Sequence, residues 1–198
     1  MDIKRKTSLI APLLVVVLAL GACHGNGDYS PKPRGFYRIV FPQKAYRDYN
    51  EGCPFTFSYP TYANIQPDKN KNAKDCWLNM QFTQFNGTLH ITYDAITSKN
   101  EFDELTEDAR KFAFKHSVKA TSIDQALIHI PERKIYGVYY TIDGNAASSV
   151  QFFLTDSTRH YLRGSLYFNS VPRLDSIQPV LTFVKKDVDV LIKTLKWK

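Results

Sequence analysis

The 198 residues carry 26 Lys and Arg against 19 Asp and Glu, a formal charge of +7, and 43% of them are hydrophobic. That length and apolar share suit one globular domain with a substantial core. The basic surplus is dispersed along the chain, with no basic helix and no RNP-like aromatic strand, which argues against nucleic-acid binding.

Lys4, Arg5 and Lys6 form a positive n-region, followed by an apolar stretch from Leu9 to Leu20 broken only by Pro12. The stretch matches a signal-peptide h-region and falls short of the roughly 20 apolar residues of a spanning helix. It ends in Leu20-Gly21-Ala22-Cys23, an aliphatic residue, two small ones and a cysteine, the lipobox pattern. Residues 1–22 are therefore expected to be removed as a signal peptide and Cys23 to be acylated. A plainly secreted protein or an uncleaved anchor is the alternative. One acyl chain binds a membrane only marginally, at roughly 0.8 kcal/mol per buried methylene, whereas three hold a protein there durably. His24 is not the Asp that commonly retains lipoproteins in an inner membrane, and His24 to Asp28 is not an acidic-rich tag. The expected location is the outer membrane, facing the periplasm.

Residues 23–34, rich in Gly, Asn, Ser and Pro, read as a tether. Residues 35–198 show no composition break or repeat and read as a single domain. With Cys23 lipidated, Cys53 and Cys76 are an even pair in an oxidising compartment. A disulfide is expected, worth about 3.5 kcal/mol in the chain-entropy picture, across the polar stretch from Ile65 to Asp75. Two free buried thiols are the alternative.

Period-two alternation predicts strands at Phe55-Phe57-Tyr59, Leu78-Met80-Phe82, Leu89-Ile91-Tyr93, Val138-Tyr140-Ile142, Val150-Phe152-Leu154 and Leu162-Leu166-Phe168. Asn86-Gly87, Asp143-Gly144 and Asp156-Ser157-Thr158 mark turns between them. Such short spacings require antiparallel neighbours. A first helix is expected from Asn100 as N-cap, with Phe102, Leu105, Ala109, Phe112, Ala113 and His116 at helical spacing. A second is expected from Ser176 to Lys196, with an apolar stripe from Ile177 to Leu195 and Lys185, Lys186, Asp187, Asp189 and Lys193 on its outer face. The fold class is α+β, mainly antiparallel sheet with both helices packed on it.

Chemistry is sparse. No zinc-type spacing, no Walker A and no dinucleotide or nucleophile-elbow motif occurs, so no metal or cofactor is expected. Asp156, Ser157 and His160 have the composition of a hydrolytic triad, yet they sit on a short turn where Asp and Ser are favoured for backbone hydrogen bonding. His116, with Lys119 nearby, reads as a helix-end or core histidine, and Arg163 as the partner of a buried or cross-strand carboxylate. Asp156-Ser157-Thr158 and Asp175-Ser176-Ile177 resemble the O-glycosylation sequon of Bacteroidota envelope proteins, although Ser176 also suits a helix N-cap.

Several stretches together resemble the gliding-motility lipoprotein GldD family of the Bacteroidota: Pro31-Lys-Pro-Arg-Gly-Phe-Tyr-Arg-Ile39, Cys53-Pro-Phe-Thr-Phe-Ser-Tyr-Pro60, Cys76-Trp77, Lys115-His116 with Lys119-Ala120, Tyr136-Gly137 and Gly144-Asn-Ala-Ala-Ser148. The longest is Gln151-Phe-Phe-Leu-Thr-Asp-Ser157 running into Tyr161-Leu-Arg-Gly-Ser-Leu-Tyr-Phe-Asn169, and Asp175-Ser176 and Trp197-Lys198 complete the set. The resemblance implies a cell-envelope component of gliding and of the associated type IX protein secretion machinery, with other proteins of that machinery as partners and no catalytic residues to carry over. The rival readings are an envelope-anchored module that binds a peptide or polysaccharide, and a hydrolase built on Ser157 and His160.

Overall fold

A computed structural model describes residues 38–198. Cys23, the signal peptide and the whole of the tether lie outside the described residues. The strands are β1 (Tyr46–Tyr49), β2 (Phe55–Pro60), β3 (Asn64–Pro67), β4 (Leu78–Phe82) and β5 (Gly87–Ala95), then, after helix α1 (Lys99–Phe114), β6 (Ala120–Ile130), β7 (Ile135–Gly144), β8 (Ser148–Thr155) and β9 (His160–Phe168). Helix α2 (Leu174–Thr194) and the two-residue strand β10 (Lys196–Trp197) close the chain.

Every strand pairing is antiparallel. A seven-stranded sheet has the order β3-β4-β5-β9-β8-β7-β6, and a smaller one the order β1-β2-β10. α1 carries the chain from β5 across to the far edge, and the meander from β6 to β9 returns it to pair with β5. Both faces of the large sheet are covered, so every residue of β8 is buried. Val150, Phe152 and Leu154 join the main core with α2 and β2, while Phe153 joins a second cluster with Ala109 and Ala113 of α1. Of the predicted apolar runs, Val138, Tyr140 and Ile142 face α1, and the others face the main core.

The helix ends differ from expectation. α1 is capped by Ser98, whose hydroxyl accepts the N–H of Glu101 at 3.2 Å, while the Glu101 carboxylate takes the N–H and hydroxyl of Thr97, both at 2.8 Å. Ser98 and Glu101 have the spacing of a capping box; Asn100 lies inside the helix and donates to Glu104. α2 begins two residues before Ser176, which sits in the first turn, its N–H bonded to the carbonyl of Arg173. The helix stops at Thr194 because Leu195 turns extended and leads into β10, which pairs with β2.

Asp187 is also displaced from its expected outer face: it is 2% exposed. Its carboxylate accepts from Lys44 Nζ at 2.6 Å, from the Tyr46 hydroxyl at 3.0 Å and from the Tyr62 hydroxyl. A buried carboxylate needs that many donors to offset its lost hydration. Lys44 Nζ also lies 3.5 Å from the Phe183 ring centroid, so the segment entering β1 is fastened to α2. Burial and the Asp187 hydrogen bond push the Tyr46 hydroxyl up to about 12.

Candidate functional site

The Asp156–His160 turn joins β8 to β9, and its geometry is set by one carboxylate. Asp156 Oδ1 accepts the N–H groups of Thr158, Arg159 and His160 at 3.0, 2.8 and 2.9 Å, and Oδ2 accepts the Thr158 hydroxyl. Burial acts to raise the Asp156 carboxyl, but these donors outweigh it and hold the group down at about 2. Ser157 occupies the left-handed region at φ 65° and is exposed, its N–H bonded to the Thr155 hydroxyl.

His160 is the first residue of β9 and is 7% exposed, so it belongs to the interior rather than to the turn. Its Nδ1 is hydrogen-bonded to the Tyr93 hydroxyl at 2.8 Å, and its ring stacks on Trp197 at 5.1 Å with 7° between the planes. Burial lowers its pKa. Nε2 is buried without a hydrogen-bond partner. The Asp156 carboxylate thus meets His160 only through the backbone N–H, and no side-chain hydrogen bond links that carboxylate, the Ser157 hydroxyl and the His160 ring.

Around this wall opens a cleft of about 490 Å³. The short helical turn Pro131–Arg133 between β6 and β7 contributes Glu132, Arg133 and the adjacent Lys134. The β8–β9 turn contributes Asp156, Thr158 and Arg159, and the end of the chain contributes Lys196, Trp197 and Lys198. Both turns lie at the same end of the large sheet, and the Trp197 indole N–H donates to the carbonyl of Lys134 at 3.2 Å, fastening β10 beside them. Charges that are scattered in sequence are therefore gathered: five Lys or Arg side chains against two acidic side chains. A neighbouring pocket shares Arg133 and Lys196. Such an arrangement can hold an anion.

Cys53 and Cys76 form a disulfide, with Cα atoms 5.6 Å apart. The polar stretch enclosed by the bridge is more ordered at its start than a loop, since Asn64–Pro67 pairs with β4 and Ile65 packs on the core. Ser157 and Ser176 are both exposed. His116 follows α1, half-buried near Tyr167, with its pKa lowered by burial. Arg163 does not meet the expected carboxylate: its cross-strand neighbours are Thr92 and Phe153, and its guanidinium lies over the Phe112 ring at 4.4 Å. Among the described residues no helix is long and apolar enough to cross a membrane, and no cluster of His, Cys, Asp and Glu could hold a metal ion.

No curated protein matches the chain. Among solved structures, the solution structure of cyanobacterial PsbP (CyanoP) from Synechocystis is similar over 82% of this chain and 98% of its own, at 10% identity and a TM-score of 0.49, a likeness too distant to speak for function. Residues 26–197 match the gliding motility lipoprotein GldD family, and the chain belongs to that family.

Proposed function

We propose that the protein is a non-enzymatic, lipid-anchored component of the gliding motility and type IX protein secretion machinery, held in the outer membrane and facing the periplasm. The observation that carries this reading is the extent of the family match, which runs from the tether to the penultimate residue. It is supported by the use made of the most catalytic-looking side chains, since Asp156 organises a turn and His160 is packed between Tyr93 and Trp197.

Gene replacement in a gliding strain tests it. Cys23→Ala should abolish incorporation of labelled palmitate and release the protein from the membrane fraction, and gliding and secretion should fall together. Ser157→Ala should leave both processes intact; normal accumulation of that variant with secretion abolished would defeat the non-enzymatic reading. Protease added to intact cells should leave the protein untouched, whereas digestion would contradict the periplasm-facing placement.

A further inference from the structure

The cleft beside His160 gathers Arg133, Lys134, Arg159, Lys196 and Lys198 from three segments far apart in the chain. Among the described residues none of the five is in an ion pair. Like charges brought together raise the energy of the folded protein by mutual repulsion, and a bound anion relieves it. The local acids do little to relieve it: the Asp156 carboxylate already serves three backbone N–H groups and a hydroxyl, and Glu132 brings one exposed charge. His160 lines the same cleft, and its Nε2 is a buried hydrogen-bonding atom without a partner. Interiors rarely leave such an atom unmet unless a water or ligand serves it.

Size and charge narrow the ligand. The cleft volume of about 490 Å³ is that of a small-molecule site. A single carboxylate would answer one of five cations. A phosphomonoester carries close to two negative charges at neutral pH and three acceptor oxygens, and the planar forks of two arginines can take those oxygens in pairs.

We propose that this cleft binds a phosphate-bearing ligand, a phosphorylated sugar or a phosphorylated lipid headgroup, with Arg133 and Arg159 holding the phosphate oxygens and the three lysines supplying attraction. The site is compatible with a role in envelope machinery but does not depend on it, so binding can be measured apart from gliding and secretion.

The acylated full-length protein in an uncharged detergent is titrated by calorimetry with glucose 1-phosphate, and separately with micelles of the same detergent doped with phosphatidic acid. Modification of Arg133 and Arg159 by phenylglyoxal is read by mass spectrometry in both arms. Binding should protect both arginines and weaken with salt. Arg133→Ala and Arg159→Ala should each weaken it roughly tenfold, the loss of one charge-assisted contact. Lys99→Ala with Lys111→Ala, which removes two charges from α1, should leave it unchanged. Protection by glucose 1-phosphate assigns a soluble phosphosugar, and protection by doped micelles alone assigns a headgroup. The proposal is overturned if neither probe binds, if the arginine variants bind as the parent does, or if a glutamate-rich peptide competes as well as the phosphate probes at equal charge. That last outcome would point to an acidic protein partner instead.

Discussion

Asp156 shows how one side chain can fix a turn and give it a pH signature. Its carboxyl titrates at about 2 in the folded protein against an ordinary 3.8, so its contribution is complete above about pH 4 and fades as the pH falls toward 2. Asp156→Asn should therefore lower the unfolding free energy measured in urea at neutral pH by about 1 kcal/mol or somewhat more, after allowance for solvent screening of a half-exposed group. The gap between variant and parent should close by about pH 2, and a gap independent of pH would show that the loss came from the turn geometry alone. Gly164 acts through what it lacks. A Cβ there would lie 2.2 Å from the tip of the buried Phe152 ring, which reaches over the glycine from the paired position on β8. Gly164→Ala should cost about 1–3 kcal/mol, as overpacking does, visible as a lowered melting temperature.

At the scale of elements, the strands that stand out in the sequence are those with one face in a core. Phe55, Phe57 and Tyr59, or Leu78, Met80 and Phe82, alternate because burial on one side only makes alternation visible. The strands without a sequence signal have a physical reason for lacking one. β6 is the long edge of the large sheet, mostly exposed, with Leu127 at 86%, so its apolar residues follow no single face. β1 and β3 are four residues each, and β10 is two. The helices were legible but their starts were not. For α1 the signal was present, Ser98 with Glu101 three residues on, yet Asn100 offers an equally plausible cap in isolation. Ser98→Ala should cost about 1 kcal/mol and fray the first turn, which amide exchange at Asn100 and Glu101 would report; unchanged protection there would mean that packing against the sheet alone holds the start. Asp187 misled for a related reason: the angle around α2 places it beside solvent-facing lysines, and only the arrival of Lys44 and Tyr62 from distant segments buries it.

At the scale of the molecule, the same logic explains the cleft. Arg133 with Lys134, Arg159, and Lys196 with Lys198 belong to three segments far apart in the sequence, so the basic surplus reads as dispersed, and only the alignment of two turns with the end of the chain concentrates it. The disulfide, by contrast, is readable in the sequence once Cys23 is assigned to the lipid, because an even pair then remains in an oxidising compartment. Its removal should be felt by the whole chain. A contribution of about 3.5 kcal/mol is a large share of a typical 5–15 kcal/mol total. Cys53→Ser should reduce the amount of protein in the envelope as its unfolded fraction is degraded, with gliding and secretion reduced in step. Full abundance with secretion lost would assign the bridge a direct role.

The way the N-terminal segment enters the domain gives it a mechanical order. For a lipoprotein pulled from that end, the first resistance met is the stretch from Val40 to Lys44, where the Val40 carbonyl accepts from Gln84, the Phe41 ring packs on Phe85 and Phe183, and Lys44 is held in the Asp187 and Phe183 cage on α2. Behind it, β1 is an edge strand that pairs with β2 alone, from Tyr46 to Tyr49. Should both yield, tension reaches Cys53 and passes through a covalent bond to Cys76, two residues before β4. From there it is spread across the broad sheet through the long pairing of β5 with β9. The segment ahead of Cys53 can thus pay out as a short extensible lead, while the bridge sets the point beyond which the domain resists as one body.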